Sequence, residues 1–184
     1  MIIKNLTVFA EAELTFSAGL NVIVGENGCG KSHLLKSAYS LIAASAEEGR
    51  KLSASVPTKT ILQKVYAYKL VNILRPETLG RLARRKQGRE RCELALSFEN
   101  NALDTDLNFA TTSKSEVVIG SLSKDWQPKA PVFLPIRELL TLYPGFVSIY
   151  ENHYLEFDET YRDACLLLGA PALKGPREKK AASL

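Results

Sequence analysis

Long apolar runs are missing from this sequence, which excludes a protein built on membrane-spanning helices. No stretch of the 184 residues approaches the roughly 18 consecutive apolar residues that such a helix needs. The first five residues, MIIKN, do not have the pattern of a secretory signal peptide. We therefore expect a cytoplasmic protein that has no membrane partner.

Cysteine is also scarce, and charge of either sign is not in large excess. The three cysteines, Cys29, Cys92 and Cys165, lie far apart and lack the spacing of metal ligands. This usage fits a reduced, cytosolic setting. The net charge of +4 permits an anionic partner without requiring one. A hydrophobic content of 46% is ordinary for a soluble globular protein, and the length fits one domain.

What is present is a phosphate-binding pattern near the start of the chain. Residues 25–32, GENGCGKS, match G-x-x-x-x-G-K-S, and we call them the phosphate loop. The apolar, β-branched segment 20–24 that precedes the loop predicts a buried strand. Residues 33–48, which follow it, have apolar residues at helical spacing. The predicted order of strand, glycine loop and helix is the context that the motif requires.

The residue types in this loop suit the binding of phosphate groups. Gly25 and Gly30 can adopt backbone angles that a Cβ atom would forbid, so successive N–H groups can turn towards one centre. The helix that begins near Lys31 adds the positive end of its dipole. Lys31 is expected to reach the β- and γ-phosphates, and the Ser32 hydroxyl is expected to ligate Mg²⁺. Cys29 is expected to present its backbone N–H.

We predict that this loop and the first residues of its helix bind ATP and Mg²⁺. The predicted nucleotide-binding residues are Gly25, Asn27, Gly28, Cys29, Gly30, Lys31, Ser32 and His33, with Ser32 also the metal ligand. We predict no catalytic residue. His33 is expected to lie on the helix surface rather than to act as a base.

The chain before the loop adds a second pattern. Residues 1–9 and 11–17 alternate well enough to be paired strands, so the loop comes early, directly after two short strands. This arrangement resembles the N-terminal portion of RecF/SMC/OLD-like ABC-type P-loop ATPases, which belong to the AAA family. The resemblance rests on the loop, on Gly28 within it, and on Ile3, Asn5, Leu6, Leu14, Phe16, Gly19 and Asn21.

The remaining chain completes the prediction of an α/β fold, which consists of a core, a β-meander within the core, and a helical lobe. Helices are predicted over about 58–74 and 76–86, strands over 92–99, 106–111 and 116–119, a core strand over 131–135, and helix from 138 to about 169. By resemblance, residues 1–137 form an ATP-binding core that carries an antiparallel β-meander at about 92–120. Residues 138–184 are the incomplete start of a helical lobe with a basic tail at 175–184.

A basic run occupies the third predicted helix and the chain after it. Its members are Arg75, Arg81, Arg84, Arg85, Lys86, Arg89 and Arg91. The run can be a contact for DNA phosphates or for an adjacent subunit. We favour the alternative, a solvated helix face, because no aromatic residues are interleaved for base stacking.

Several parts that the resemblance requires for hydrolysis are missing. The sequence has no LSGGQ-like signature, and neither His33 nor His153 follows a Walker B strand. Residues 154–159, YLEFDE, resemble Walker B only superficially, because Glu156 interrupts the apolar run and Asp158 is placed to cap a following helix. No glutamine stands at the expected Q-loop, so Arg137 and Glu138 are only weak substitutes for it.

The resemblance therefore implies the ATP-binding portion of an ATPase that needs other groups for hydrolysis. Related proteins act in DNA repair, chromosome handling or phage defence. We expect a homodimer, or a complex with another polypeptide that supplies the rest of the ATPase, and DNA is a possible partner. The alternatives are a non-catalytic regulatory or remnant nucleotide-binding protein and, less suited to the predicted meander, a small kinase.

Overall fold

The computed structural model describes residues 1–51, 56–85, 91–135, 145–152 and 155–170. The chain divides into two compact units, Met1–Val132 and Phe133–Leu184, and each is described by itself. The predicted domain bounds of 1–137 and 138–184 stay a prediction, and residues 136–144 near that boundary lie outside the described residues.

A five-stranded antiparallel sheet forms one layer of the first unit. Its strand order is β2-β1-β3-β4-β5. The strands are β1 Ile2–Leu6, β2 Phe9–Glu13, β3 Cys92–Leu96, β4 Thr105–Phe109 and β5 Val118–Ile119. Along β3 and β4, every second side chain is buried, as expected for a sheet that covers a core with one face. The predicted meander is therefore confirmed, and it continues through β3 into the N-terminal hairpin.

Two long helices, α1 (Lys31–Gly49) and α2 (Lys59–Leu74), pack on each other. The side chain of Thr58 accepts a hydrogen bond from the backbone N–H of Ile61 at 3.4 Å, which caps the start of α2. The predicted helix over 58–74 is confirmed almost to the residue. The core unites apolar side chains of both helices and the sheet, including Ile3, Leu6, Leu34, Leu41, Leu62, Leu70, Leu94, Leu107 and Phe109.

Polar side chains also fix the two helices. Lys69 of α2 is only 2% exposed, and its Nζ lies 2.5 Å from the Glu47 carboxylate of α1. The hydroxyls of Tyr66 and Thr105 lie 3.2 Å apart and join α2 to β4. Burial raises the pKa of Tyr66, so its phenol stays protonated and available for this hydrogen bond.

The prediction of a strand over 20–24 is wrong. These residues are not in a strand, and Leu20, Val22 and Val24 are 89%, 71% and 84% exposed. A strand exists only by pairing, and a parallel strand needs neighbours and cover on both faces. Among the described residues no strand pairs with this segment, so these three side chains stay in solvent, while Ile23 is partly buried against the core.

Other predicted elements have different bounds. Residues 131–135 form no strand, and Val132 and Leu134 are 62% and 76% exposed. The predicted helix over 76–86 is reduced to a 3₁₀ turn, Leu79–Leu82, after which Ala83 forms an antiparallel bridge with Leu6. A second 3₁₀ turn, Asn101–Leu103, joins β3 to β4. The N-terminal strands are also shorter than predicted, because the hairpin turns at Thr7 and Val8.

The second unit contains two described helices, α3 (Phe146–Asn152) and α4 (Glu159–Leu168). Phe157 stacks edge-on against Phe146 and Tyr161, with ring centroids 5.4 and 5.0 Å apart. The Asp158 side chain accepts a hydrogen bond from the backbone N–H of Thr160 at 3.0 Å and caps α4. The helix-cap interpretation of this segment is confirmed, and residues 155–158 form no Walker B strand.

Some predictions fall on residues outside the described part of the chain. They concern Arg137 and Glu138 as Q-loop substitutes, residues 138–144 of the helical lobe, His153, and the basic tail at 175–184.

Candidate nucleotide-binding site

The phosphate loop leads directly into the start of α1. Lys31 is the first residue of this helix and Gly30 is its N-cap, with no side-chain cap and no acidic residue in the first turn. The first N–H groups of a helix have no partner within the helix, and here no side chain caps them. The loop therefore ends at a helix N-terminus that is open to an anion.

Two glycines give the loop its shape. Gly28 and Gly30 have φ angles of 85° and 97°, which side-chain-bearing residues rarely adopt. A Cβ atom on Gly30 would also lie 2.5 Å from Cγ2 of Val8 and 2.7 Å from Cζ of Phe9. Gly30 thus permits both the turn of the loop and its close approach to the β1–β2 hairpin.

The Lys31 side chain folds back over the loop. Its Nζ atom donates hydrogen bonds of 2.6 and 2.7 Å to the backbone carbonyls of Gly25 and Glu26. The Cys29 Sγ atom lies 3.7 Å from the same ammonium group. These contacts hold a positive charge at the loop, where phosphate oxygens would need it.

An open depression of about 240 Å³ lies over the loop and the first turn of α1. Its lining residues are Val8, Asn27, Gly28, Gly30, Lys31, Ser32 and His33. Six of the eight predicted binding residues therefore share one depression. Gly25 and Cys29 belong to the same loop but do not line it. Their binding of a nucleotide stays a prediction.

Val8 is the lining residue that sequence reasoning missed. It lies in the β1–β2 turn, 22 positions before Gly30, and its position depends on how the hairpin folds over the loop. A valine after two alternating strands carries no signal of binding, so a single sequence could not have identified it.

His33 connects the helix to the same hairpin. Its Nδ1 atom lies 3.1 Å from Oγ1 of Thr7, and the imidazole is only partly exposed. Burial, followed by the nearby charge of Lys36, lowers the pKa of His33 below the ordinary value of 6.5. The imidazole is therefore neutral at pH 7, and the Thr7 contact gives it a structural role.

This lowered pKa predicts a specific dependence of stability on pH. Between the folded pKa of His33 and 6.5, the unfolded chain binds more protons than the folded chain. The free energy of unfolding should therefore fall as the pH drops below 6.5, and His33→Gln should remove that part of the slope. Urea unfolding at a series of pH values measures it. His153→Gln is the matched control, and an unchanged slope in His33→Gln would contradict the prediction.

The chain's own contribution to a metal site would be small. In the described ranges, no group of three or more His, Cys, Asp and Glu side chains is placed to hold a metal ion. Mg²⁺ commonly keeps several waters and is held through one or two protein ligands together with substrate phosphates. The exposed hydroxyl of Ser32, in the lining of the depression, suits this shared form of coordination.

Three of the described arginines of the basic run make separate contacts. Arg81 pairs with Glu77, Arg91 donates to the Asn108 side chain, and Arg84 donates to the backbone carbonyl of Val8. Lys86 and Arg89 lie outside the described residues. The run is therefore not one helical face in the described structure, and the Arg84 side chain is joined to the hairpin beside the loop.

The glycine loop, its ammonium group and the open helix N-terminus define the class of phosphate-binding-loop proteins. A family model described as AAA domain matches residues 1–115. Because this match covers more than half of the 184 residues, the chain belongs to the AAA domain family. Residues 1–115 thus form an AAA-type, P-loop ATPase-like region, which indicates nucleotide binding. No curated protein and no solved structure matches the chain.

None of the helices in the described part of the chain has the length and apolar character needed to cross a membrane.

Proposed function

We propose that this chain is the ATP- and Mg²⁺-binding portion of a RecF/SMC/OLD-like ABC-type ATPase. The observation that carries the proposal is the geometry of the phosphate loop, in which Gly28 and Gly30 have positive φ angles and Lys31 is held over the loop. The early position of the loop after a two-stranded hairpin supports the RecF/SMC/OLD-like branch. Lys31 would contact the β- and γ-phosphates, and Ser32 would ligate the metal.

Hydrolysis would need groups that these 184 residues do not supply. The sequence has no signature motif and no Walker B motif with its glutamate. Phosphoryl transfer depends on positioning the nucleophile and stabilising developing charge, so losing these parts should lower the rate by several orders of magnitude.

We therefore expect the chain alone to bind ATP without appreciable turnover. Release of inorganic phosphate from saturating ATP and Mg²⁺ measures this directly, with Lys31→Ala to identify any contaminating activity. Turnover at an ordinary enzymatic rate of roughly 1 s⁻¹ or more, lost in Lys31→Ala, would contradict the proposal and restore Asp158 and Glu159 as Walker B candidates.

A partner polypeptide, either a second copy or a different chain, is the second part of the proposal. Leu20, Val22 and Val24 present three largely exposed apolar side chains next to the phosphate loop. An exposed apolar segment of this composition favours strand pairing or burial against another chain. The partner would supply the missing catalytic groups, and DNA would be a further partner of the assembled ATPase.

Changing these three residues together to serine should reduce self-association of the isolated chain. Sedimentation velocity measures the fraction of associated protein over a range of concentrations. The control replaces Tyr68 and Leu122, which are 67% and 46% exposed elsewhere in the first unit, with serine. A wild-type chain that is monodisperse and monomeric at every concentration would contradict a second copy as the partner.

A non-catalytic regulatory or remnant nucleotide-binding protein is the second candidate. It is favoured by the same absence of catalytic motifs from the sequence. The response to a partner distinguishes the two candidates. If the chain is a portion of an ATPase, a partner that supplies Walker B and a signature motif should restore ATP turnover; a non-catalytic protein should stay inactive.

A further inference from the structure

The arginine beside the phosphate loop is held in a defined position. The backbone N–H of Arg84 donates to the carbonyl of Asn5 at 2.7 Å, next to the bridge between Ala83 and Leu6. Its Nη1 atom donates to the carbonyl of Val8 at 3.2 Å. The residue is therefore held by its backbone and by its guanidinium while it remains exposed to solvent.

Val8 connects this guanidinium to the depression. Its carbonyl accepts the hydrogen bond from Arg84, its side chain lines the depression, and its Cγ2 atom lies against Gly30. Val8 is 49% exposed, so half of an apolar side chain faces solvent at this wall. It is the aliphatic member of a lining that otherwise consists of glycines and polar side chains.

The size of the depression determines which part of a nucleotide can enter it. Its volume of about 240 Å³ is below the roughly 300–1,000 Å³ of pockets that enclose whole small molecules. The loop N–H groups and Lys31 suit the phosphates, so the nucleoside must extend beyond the rim. Val8 offers an aliphatic surface in the lining, and the Arg84 guanidinium, which is not itself a lining residue, lies beside it through the hydrogen bond to the Val8 carbonyl. This pair suits the face of a purine, because guanidinium groups stack on aromatic rings.

We propose that Arg84 and Val8 form the contact surface for the nucleotide base. Arg84 is a specificity-determining residue that stacks on the base, and Val8 contacts the same ring through its exposed methyl groups. This inference rests on the proposed binding of ATP at the phosphate loop. It assigns Arg84 a contact with the base rather than with the phosphates.

Calorimetric titration of the full chain with ATP and with inorganic tripolyphosphate tests the assignment. Arg84→Ala should raise the Kd for ATP by roughly 3- to 30-fold, the usual range for a cation–π contact, and should leave the Kd for tripolyphosphate unchanged. Val8→Thr keeps the shape of the side chain and should weaken ATP binding in the same selective way, by a smaller factor. Arg81→Ala removes an exposed arginine paired with Glu77 and should change neither Kd.

Two outcomes of these titrations would overturn the inference. Equal weakening of ATP and tripolyphosphate by Arg84→Ala would overturn the inference by assigning Arg84 to the phosphates. Unchanged ATP binding in both Arg84→Ala and Val8→Thr would overturn it outright. Lys31→Ala separates the inference from the proposed function, because it should weaken both ligands. If wild-type chain binds both ligands and Lys31→Ala binds them equally well, the proposed phosphate site itself is wrong.

Discussion

Replacing Lys31 with alanine should lower the affinity of the chain for ATP by about 100-fold or more. A hydrogen bond between charged groups contributes roughly 1.5–3 kcal/mol, and one ammonium group can bond to oxygens of two phosphates. The folded chain should tolerate the change, because the carbonyls of Gly25 and Glu26 that Lys31 now contacts lie on exposed residues and can bond to water instead. Anisotropy of a fluorescent ATP analogue measures the affinity.

Lys64→Ala is the matched control for the loss of one positive charge. Lys64 lies on α2, its side chain is 68% exposed, and its Nζ atom lies 3.9 Å from the Glu116 carboxylate. This variant should bind ATP as the wild type does. Equal affinities for wild type and Lys31→Ala would remove Lys31 from the site, and equal losses in both lysine variants would show only a general effect of charge.

Replacing Gly30 with alanine should damage both the fold and the site. A residue with a Cβ atom at a left-handed backbone conformation costs roughly 1–2 kcal/mol, and the new atom would also press on Val8 and Phe9. We expect a lower free energy of unfolding and at least about a tenfold loss of ATP affinity, because the loop N–H groups lose their shared direction. Urea unfolding and anisotropy measure the two effects on the same samples.

Gly19→Ala is the corresponding control. No heavy atom lies within 4 Å of the position that its Cβ would take, and its φ angle is not in the left-handed region. It should leave stability and binding nearly unchanged. A Gly30→Ala chain as stable as Gly19→Ala, with wild-type affinity, would show that neither the backbone angle nor the hairpin contact matters.

The sequence predicted the parts of this protein that depend on local chemistry. The phosphate loop needs glycines at set positions and a lysine at the helix start, and these residues are recognisable without any partner. The start of α2 after Thr58 and of α4 after Asp158 also follow from local hydrogen bonds that cap a helix. Strands β3 and β4 were predictable from the alternation of apolar and polar residues, because each strand covers the core with one face.

The predictions that were wrong or missing concern features that depend on distant parts of the chain. Segment 20–24 has the composition of a buried strand, but pairing partners decide whether a strand forms. The chain after Pro76 has helical spacing, yet Ala83 pairs with Leu6 and draws it into an extended conformation. Val8 reaches the candidate site only because the hairpin folds over Gly30. None of these contacts has a signature in one sequence.

We propose that the phosphate loop binds a nucleoside triphosphate together with a divalent cation. Calorimetric titration of the wild-type chain with a non-hydrolysable ATP analogue, with and without Mg²⁺, tests it most directly. We expect one saturable site per chain, with tighter binding in the presence of Mg²⁺ and the loss of most binding in Lys31→Ala. Absence of saturable binding to a properly folded chain, or binding that Lys31→Ala leaves intact, would contradict it.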